Sequence, residues 1–511
     1  MKKFRTAILC VLSLAVCISA FAGCGDRRAD GAHDSIDGNV DDDGNIVVTD
    51  DVTIRFWGWG STTEEAIYQE AIADFEALHD NITVQYSCYS SDTYMTTLQS
   101  SASNLPDLFY MPDEEFMYWA YNGVLWDFSD YVTAEERAAI WEEGLARYFY
   151  NEDTGYVGIS EGAGLYGLPK DLGPFTFAYN EDLLSDALDY AREQGTMQLT
   201  LDEVKEEYLD ASDPMTWEEF VTLGTILKPY CDKNSQYVLS HYEVDSAIYS
   251  NNASYYDETV TTQTMTDPQF VDAWQWMHDL AFKYGLMPHG SSTTNGYQMF
   301  MAGNAVFSFV GPWDCAAIWG TTDASTAVRY TMRLLPVPYG PGADREYGTA
   351  DDGVSTTWIG SMGYCISANS STTQKAAALL LAKYLCSNEN AQTKFYRLGQ
   401  QVPNLIEMAE TDYLAMKTVT NSRGEEVAVN PSNLEVFLDV MDGTDPANGD
   451  FVGGRERPTC NILHTDWDKD LSYTLDELGF WNNADVTGQN LVDSFKDNMQ
   501  YYLDYHNSYL G

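Results

Sequence analysis

A strand, a helix and a second strand follow one another within residues 52–86, and this order constrains the fold more than any other feature. Apolar residues alternate over 52–56 and again over 82–86, which is typical of strands with one buried face. Between them, Ser61 and Glu64 have the spacing of a capping box at a helix start. The apolar residues that follow at helical spacing are Ile67, Ala71, Phe75 and Leu78. This order predicts an α/β fold with a parallel sheet.

Further helix starts are predicted from capping residues. Asn180 is placed as an N-cap with acidic residues in the next turn, and Thr216 and Glu219 repeat the capping-box spacing. A strongly apolar segment over 374–386 predicts another helix. Since the chain has 511 residues, it is too long for one compact domain, and two or three are expected.

Two predicted loops follow strands of the sheet. One spans residues 57–60, after the first strand, and the other spans 111–115, after a short apolar strand that Pro106 and Asp107 introduce. In open parallel sheets, ligands bind at the carboxyl ends of strands. Both loops are therefore expected near a binding site, whereas Asp107 itself is expected to bond the turn before its strand.

The first residues predict export from the cell. Basic residues at 2, 3 and 5 precede an apolar run over 7–22, as in a signal peptide, which we place at 1–23. Ala22, Gly23 and Cys24 end this run and resemble a bacterial lipobox, although Phe21 stands where Leu is usual. Cys24 is therefore expected to be lipidated, and an ordinary secretory signal with a chance cysteine is the alternative. No later apolar run reaches the roughly 20 residues that span a membrane.

Residues 24–50 are rich in Asp, Gly and Asn and nearly free of large apolar side chains, which predicts an acidic flexible tether. The whole chain is acidic as well, with 27 basic against 78 acidic residues and a formal charge of −51. This charge argues against binding to nucleic acid or to anionic lipid headgroups. The 14% of aromatic residues argues against a disordered chain.

No cofactor is expected. The cysteines after Cys24 are scattered without a CxxC pair, which suggests neither a zinc site nor a disulfide framework. They are Cys88, Cys231, Cys315, Cys365, Cys386 and Cys460. Calcium at 466–477 is an alternative, because ligand-type residues there have EF-hand spacing, but Leu471 occupies the position that requires Gly. The ligand-type residues are Asp466, Asp468, Asp470, Ser472, Thr474 and Glu477.

Several sequence blocks occur together in a recognisable order. They are Pro106-Asp107, the Gly-Leu-Pro-Lys-Asp of 167–171 with the Tyr-Asn-Glu-Asp-Leu-Leu of 179–184, the Thr-Trp-Glu-Glu-Phe of 216–220, and the Ala-Gly-Asn-Ala-Val of 302–306 with the Gly-Pro-Trp of 311–313. Behind a lipobox, this order resembles the solute-binding lipoproteins of bacterial ABC importers, in the carbohydrate-binding class that includes maltose-binding protein. Residues 404–511 match that family only as a helical tail.

The resemblance implies a two-lobed periplasmic-binding-protein-like fold, with a ligand cleft between lobes joined by hinge crossings. The crossings are placed near 171–178, 361–365 and 400–403. The lobes are then discontinuous, with lobe 1 at 51–172 plus 364–400 and lobe 2 at 175–362 plus 402–511.

A sugar site needs aromatic rings for the apolar face of the pyranose and polar groups for its hydroxyls. The candidate aromatic platforms are Trp57, Trp59, Trp313 and Trp358. The candidate polar groups are Asp113, Glu114, Lys170, Asp171 and Asp314. Each has a structural alternative: half-packed rings for the tryptophans, a solvated helix start for Asp113 and Glu114, and a hinge salt bridge for Lys170 and Asp171. Trp217 is expected only to pack at a helix end.

The sequence thus predicts a non-catalytic, monomeric receptor that is lipid-anchored on the extracellular face of a bacterial membrane. It would capture a carbohydrate, such as an oligosaccharide, and deliver it to an ABC permease. A surface glycoside hydrolase with paired carboxylates is one alternative, although the acids are too abundant to identify a pair. A binding protein for a cationic solute such as a polyamine is the other, suggested by the negative charge.

Overall fold

A computed structural model of the chain describes residues 31–289, 296–442, 454–463 and 467–510. The predicted signal peptide, Cys24 and Asp466 therefore lie outside the described residues. The chain divides into two compact units. Unit 1 comprises Met1–Asp171 and Ser361–Lys394, and unit 2 comprises Leu172–Gly360 and Phe395–Gly511.

The described strands and helices alternate along much of the chain. The strands are β1 (Val52–Trp59), β2 (Ile82–Tyr89), β3 (Leu108–Pro112), β4 (Phe149–Tyr150), β5 (Gly164–Leu165), β6 (Gly167–Pro174), β7 (Thr176–Asn180), β8 (Tyr237–Leu239), β9 (Ala305–Val310), β10 (Met332–Leu335), β11 (Ile359–Ile366), β12 (Thr418–Thr420) and β13 (Glu426–Ala428). The helices are α1 (Thr62–Leu78), α2 (Ser91–Ser100), α3 (Asp113–Tyr121), α4 (Ala134–Ala138), α5 (Glu142–Ala146), α6 (Glu181–Glu193), α7 (Leu201–Tyr208), α8 (Trp217–Asn234), α9 (Val244–Tyr249), α10 (Pro268–Phe282), α11 (Gly296–Met301), α12 (Cys315–Trp319), α13 (Thr372–Ser387), α14 (Glu389–Leu398), α15 (Ile406–Met408), α16 (Glu435–Asp442), α17 (Trp467–Leu478) and α18 (Gly488–Leu510).

Unit 1 is built on a five-stranded sheet in the order β2-β1-β3-β11-β6. β1 pairs in parallel with β2 and β3, as the strand–helix–strand order predicts, and β11 returns antiparallel to β3. The α/β fold class is confirmed. The chain changes unit inside β6 and again inside β11, so strand β11 reaches this sheet from a distant part of the sequence.

Helix α1 begins as its sequence predicts, since Ser61 accepts from the Glu64 N–H and Glu64 accepts from the Ser61 N–H. Its buried face differs in part from the predicted one, because Tyr68 and Ile72 face the core while Leu78 is 67% exposed. Tyr68 is accommodated because its hydroxyl lies 2.9 Å from the buried hydroxyl of Tyr364. A buried tyrosine with a hydrogen-bond partner thus replaces an apolar side chain at the expected position.

The two predicted loops at strand ends are wrong in their secondary structure. Strand β1 continues through Trp57 and Trp59, which pair with Ser87 and Tyr89 of β2. Strand β3 passes directly into helix α3, with Pro112 as the N-cap, so no loop covers 111–115. Cross-strand pairing with β2 extends β1 past Gly58, and the acidic residues at 113–115 form the favourable first turn of α3, which is the helix start given above as the structural alternative for Asp113 and Glu114.

The predicted tether is also wrong for residues 31–48, which pack on unit 1. Ile36 is 1% exposed and its N–H donates to the Tyr131 hydroxyl at 3.0 Å. The buried ammonium of Lys375 lies 2.8 Å from the Asp34 carboxylate and donates to the Gly31 carbonyl at 2.7 Å. A polar segment can thus be fixed by a few buried contacts with distant residues, which its composition does not reveal. Residues 25–30 lie outside the described ranges.

Replacing Ile36 by Ala tests this docking. Because the side chain is buried, Ile36→Ala should lower the free energy of unfolding of unit 1 by about 2–5 kcal/mol. Val47→Ala is the matched control, because Val47 is exposed and its truncation should change stability by less than roughly 0.5 kcal/mol. Denaturant unfolding followed by hydrogen exchange of peptides from 31–48 gives the measurement. Equal stabilities of the two variants would show that the segment is only loosely attached.

Unit 2 contains a four-stranded sheet in the order β10-β7-β9-β8. Strand β7 runs antiparallel to β10 and β9, and the rings of Phe177 and Phe307 stack across β7 and β9 with centroids 5.4 Å apart. The predicted helix starts are confirmed, with Asn180 capping α6 and Thr216 and Glu219 forming the capping box of α8. Trp217 packs as expected, buried against the Trp276 ring at 4.3 Å.

The carboxyl-terminal region is part of the unit 2 core rather than an appended tail. Helix α18 packs against α10 and α17. Its apolar side chains join the buried cluster that surrounds the sheet of unit 2. They include Leu491, Val492, Phe495, Met499 and Leu503.

The calcium-loop alternative is wrong for the described part of 466–477, because Trp467–Leu478 is a helix. Side chains on a helix point in successively rotated directions, so alternate residues do not converge on one ion as in an EF-hand loop. Within the described ranges, no group of three or more His, Cys, Asp or Glu side chains could hold a metal ion. The six described cysteines are free thiols. Among the same residues, no helix is both long enough and apolar enough to cross a membrane.

Candidate functional site

The tryptophans of β1 lie in an aromatic cluster at the carboxyl end of the unit 1 sheet. Trp57 and Trp59 are half-buried, and the Trp59 ring contacts Tyr94 edge-on at 4.8 Å and Tyr110 at 5.9 Å. Gly58 makes room for this cluster, because a Cβ there would lie 2.8 Å from the Tyr110 ring. The sequence places both rings correctly at a strand end, with part of each accessible to a ligand.

Lys170, which is buried, and Asp171, which is half-buried, form an ion pair beside this cluster. The Lys170 ammonium lies 2.7 Å from the Asp171 carboxylate and 5.6 Å from the centre of the Tyr110 ring. Burial alone would lower the pKa of Lys170, but the adjacent Asp171 carboxylate holds that pKa above its ordinary value. Lys170 is therefore a permanently charged donor at the edge of an aromatic cluster.

Asp113 holds together distant backbone segments of unit 1. Its carboxylate accepts from the Ser361 N–H at 3.0 Å and lies 3.7 Å from the buried Arg147 guanidinium. Asp171 acts similarly, since it accepts from the Met362 N–H at 3.0 Å. Both carboxylates thus position the start of β11. Glu114, next to Asp113, is half-buried in the first turn of α3.

In unit 2, the predicted platform Trp313 lies directly on backbone. Added Cβ atoms at Gly173 and Gly311 would come within 2.6 and 2.3 Å of its ring, so only glycine allows this position at either residue. The Asp314 carboxylate accepts from the Gly311 N–H at 2.8 Å and closes the turn that carries Trp313. The Trp313 side chain is nevertheless 39% exposed, the most accessible large ring of this cluster.

Trp313 belongs to a three-ring stack that the sequence revealed only in part. Its ring stacks on Phe175 at 5.8 Å and on Trp358 at 5.9 Å, with interplanar angles of 19° and 22°. Phe175 also lies 5.3 Å from Trp358 and 6.3 Å from the His241 ring. Phe175 could have been found from its position beside the first predicted crossing, whereas His241 carries no sequence signal.

Trp358 is the inner member of the stack, with only 9% of its surface exposed. Its indole Nε1 donates to the Glu243 carboxylate at 3.3 Å, and the Arg457 guanidinium lies 4.0 Å from the centre of its ring. A platform needs a free face, and little of Trp358 is accessible. Trp358 thus supports the neighbouring rings, and Glu243 and Arg457 are contacts that the sequence did not predict.

Burial shifts the pKa values of several titratable groups around the stack. It raises that of Glu243, and it shifts those of Asp314 and His241 in opposite directions. Burial raises the pKa of Asp314 to about 6, above its ordinary value of 3.8, and burial lowers the pKa of His241 to about 4, from 6.5. The fold therefore prefers protonated Asp314 and neutral His241. Asp314 lowers stability as the pH rises from 3.8 to 6, whereas His241 raises stability as the pH rises from 4 to 6.5.

These opposing contributions predict how single variants behave. Asp314→Asn removes a contribution that falls as the pH rises, so the variant should gain stability more steeply than the parent between about pH 4 and pH 6. His241→Gln should show the reverse slope. For each variant, the change in the free energy of unfolding across this pH range should differ from that of the parent by up to about 3 kcal/mol. Urea unfolding of unit 2 along this pH range measures both slopes.

The exposed Asp42→Asn variant controls for loss of one negative charge without a buried partner. If Asp314→Asn and Asp42→Asn have the same pH profile, Asp314 does not titrate in the fold as its burial indicates.

The chain belongs to the family of bacterial extracellular solute-binding proteins, whose pattern matches residues 70–420. This match includes β3, the stack residues Phe175, Trp313 and Trp358, and the return of the chain through β11. Arg457 lies beyond it. The resemblance to solute-binding proteins of this kind is confirmed.

Solved structures show the same fold. An ABC substrate-binding protein of Listeria monocytogenes in complex with cycloalternan is 18% identical, with a TM-score of 0.64 over 89% of this chain and 100% of that chain. The cyclic α-maltosyl-1,6-maltose binding protein of Arthrobacter globiformis is 17% identical, with a TM-score of 0.61 over 89% and 99%. The maltose/maltodextrin-binding domain of Bdellovibrio bacteriovorus, bound to maltotriose, is 16% identical, with a TM-score of 0.58 over 89% and 100%.

Proposed function

We propose that this protein is the substrate-binding component of a bacterial ABC importer and that it captures a carbohydrate, in particular an oligosaccharide. The Phe175–Trp313–Trp358 stack carries the proposal. An accessible indole held flat on glycine backbone offers a rigid surface that matches the apolar C–H face of a pyranose. Because the ring is ordered before binding, little conformational entropy is lost when a sugar stacks on it.

Charged groups beside the aromatic residues would meet the polar requirements of a sugar. In unit 1, Lys170 supplies a permanent positive charge beside the Tyr110 ring, close to Trp59. In unit 2, Asp314 follows Trp313 in the chain. Within each unit, charge-assisted hydrogen bonds from such a group to hydroxyls would orient a sugar ring that stacks on the aromatic residues of that unit. The oligosaccharides bound by the proteins from Listeria, Arthrobacter and Bdellovibrio support this ligand class.

We further propose that the protein is a receptor without catalytic activity. Asp113 and Asp171, the carboxylates proposed from the sequence for unit 1, both hold the backbone of β11. A glycosidase needs two carboxyl groups free to act as acid and as base or nucleophile. Membership of a solute-binding family supports the same conclusion.

A ligand screen tests the proposed function. Thermal shift with maltooligosaccharides, cyclic glucans and other glycans, beside polyamines, should give stabilisation by oligosaccharides alone, because ligands that bind only the folded state raise its melting temperature. Incubation with the same glycans should release no reducing ends. Stabilisation by polyamines instead would support a receptor for cations, and sustained release of reducing ends would support a glycosidase.

Trp313→Ala should weaken binding of the ligand found in that screen. Loss of one rigid aromatic platform is expected to cost about 2 kcal/mol, or roughly thirtyfold in Kd. Stability should change little, since the ring is partly exposed. Titration calorimetry beside denaturant unfolding measures both effects.

Trp217→Ala is the matched contrast. Trp217 is buried against Trp276, so its removal should cost about 3–5 kcal/mol of stability and leave the Kd of the folded protein unchanged. If Trp313→Ala binds like the parent, the stack is not the sugar platform, and Trp57 and Trp59 of unit 1 become the next rings to replace.

The protein is further proposed to act as a monomer anchored by a lipid on Cys24, at the extracellular face of the membrane. The small residues before Cys24, at the end of an apolar run, support this anchor. Cys24→Ala should move the protein from the membrane fraction to the medium, because the thiol is the acyl acceptor. Cys88→Ala is the control, since Cys88 lies in strand β2 and should not affect fractionation. Membrane retention of Cys24→Ala would contradict lipidation at this residue.

A further inference from the structure

The segment 454–463 contributes to the aromatic stack of unit 2, although it lies outside the sequence blocks that carry the family resemblance. Trp358 and Arg455 form a parallel β-bridge. In this bridge the Ile359 N–H donates to the Arg455 carbonyl at 2.7 Å, and the Arg455 N–H donates to the Thr357 carbonyl at 2.9 Å. The backbone on both sides of Trp358 is therefore fixed by this segment.

The same segment is attached to unit 2 by further contacts. The Tyr249 hydroxyl donates to the Glu456 carbonyl at 2.8 Å, and the Tyr256 hydroxyl donates to the Pro458 carbonyl at 2.7 Å. Pro458 and Cys460 are buried. Segment 454–463 is thus an ordered part of the unit, and its position relative to Trp358 is well defined.

Two charged side chains then hold the Trp358 ring itself. Arg457 places its guanidinium 4.0 Å from the ring centre, well within cation–π distance. Glu243 accepts from the indole Nε1 at 3.3 Å and interacts electrostatically with Arg457. An indole held at its face by a cation and at its edge by a carboxylate loses the freedom to rotate about its side-chain torsions.

We propose that Arg457 and Glu243 are positioning residues that fix Trp358 and, through it, the geometry of Trp313 and Phe175 toward a sugar. This inference rests on the proposed function for its consequence in binding. Neither residue needs to touch the ligand. They act because Trp358 stacks on Trp313 at 5.9 Å and contacts Phe175 at 5.3 Å with an interplanar angle of 41°, so a rotation of its indole would displace both of these more accessible rings.

The test separates ring position from ligand binding. The protein is labelled with fluorotryptophan, and the Trp358 resonance in its ¹⁹F NMR spectrum is identified by its loss in Trp358→Phe. Without ligand, Arg457→Met should shift or broaden the Trp358 and Trp313 resonances, and Glu243→Gln should shift that of Trp358. Arg455→Met is the control, because Arg455 is exposed, its guanidinium lies over Tyr249, and its contacts with Thr357 and Ile359 are made by its backbone.

Calorimetry with the oligosaccharide from the screen then measures the effect on recognition. Arg457→Met should raise the Kd about threefold to thirtyfold, the range expected for loss of a cation–π contact, and Arg457→Lys should recover part of the loss. Melting temperatures show whether each variant is folded. A merely structural effect would lower the melting temperature while leaving the ring resonances and the Kd of the folded fraction unchanged.

The outcomes distinguish the two proposals. If no glycan binds the parent, the proposed function fails, while the ring resonances still show whether Arg457 and Glu243 position Trp358. If glycans bind but Arg457→Met leaves both the resonances and the Kd unchanged, the positioning inference is overturned. Should Arg457→Met not fold, Arg457→Lys and Glu243→Gln give the same readouts with smaller perturbations.

Discussion

The pairing of β11 with β3 is the interaction on which the rest of the architecture depends. The chain leaves the unit 1 sheet in β6 and re-enters it in β11, so everything between them belongs to unit 2. The return is secured by the buried carboxylate of Asp113 and the half-buried one of Asp171, because they accept from consecutive N–H groups at Ser361 and Met362. A buried carboxylate without such donors would be costly, so the two sides of this junction stabilise each other.

Local signals predicted local structure well. The caps at Ser61, Asn180 and Thr216 were identified because the donor and acceptor of each are three residues apart and need no tertiary information. The strand-end position of Trp57 and Trp59 followed from the same kind of pattern. The extent of strand β1 did not, since pairing with β2 extends it through a glycine that suggested a loop.

What the sequence could not predict depends on contacts between distant residues. Arg457 meets Trp358 across almost a hundred positions, and Lys375 meets Gly31 across a still longer separation. In a chain of 78 acidic residues, neither cation has a distinctive sequence context. The role of each cation depends on its position over an aromatic ring. Lys375 lies over Trp126, and Arg457 lies over Trp358. The scarce basic residues are thus used partly inside the fold, which leaves a predominantly acidic exterior.

With the proposed lipid on Cys24, the docking of residues 31–48 on unit 1 would limit how far this protein can move from a membrane. Six residues then lie between Cys24 and Gly31, which Lys375 holds, so seven Cα–Cα steps join them. At 3.3–3.6 Å per residue, that length spans at most about 25 Å. Diffusion would then be confined to a thin layer above the bilayer, where the effective concentration of receptor around a permease is high. A tether that extended freely from Cys24 to residue 50 would span more than three times that distance. The effective concentration of the receptor around the permease would then be lower.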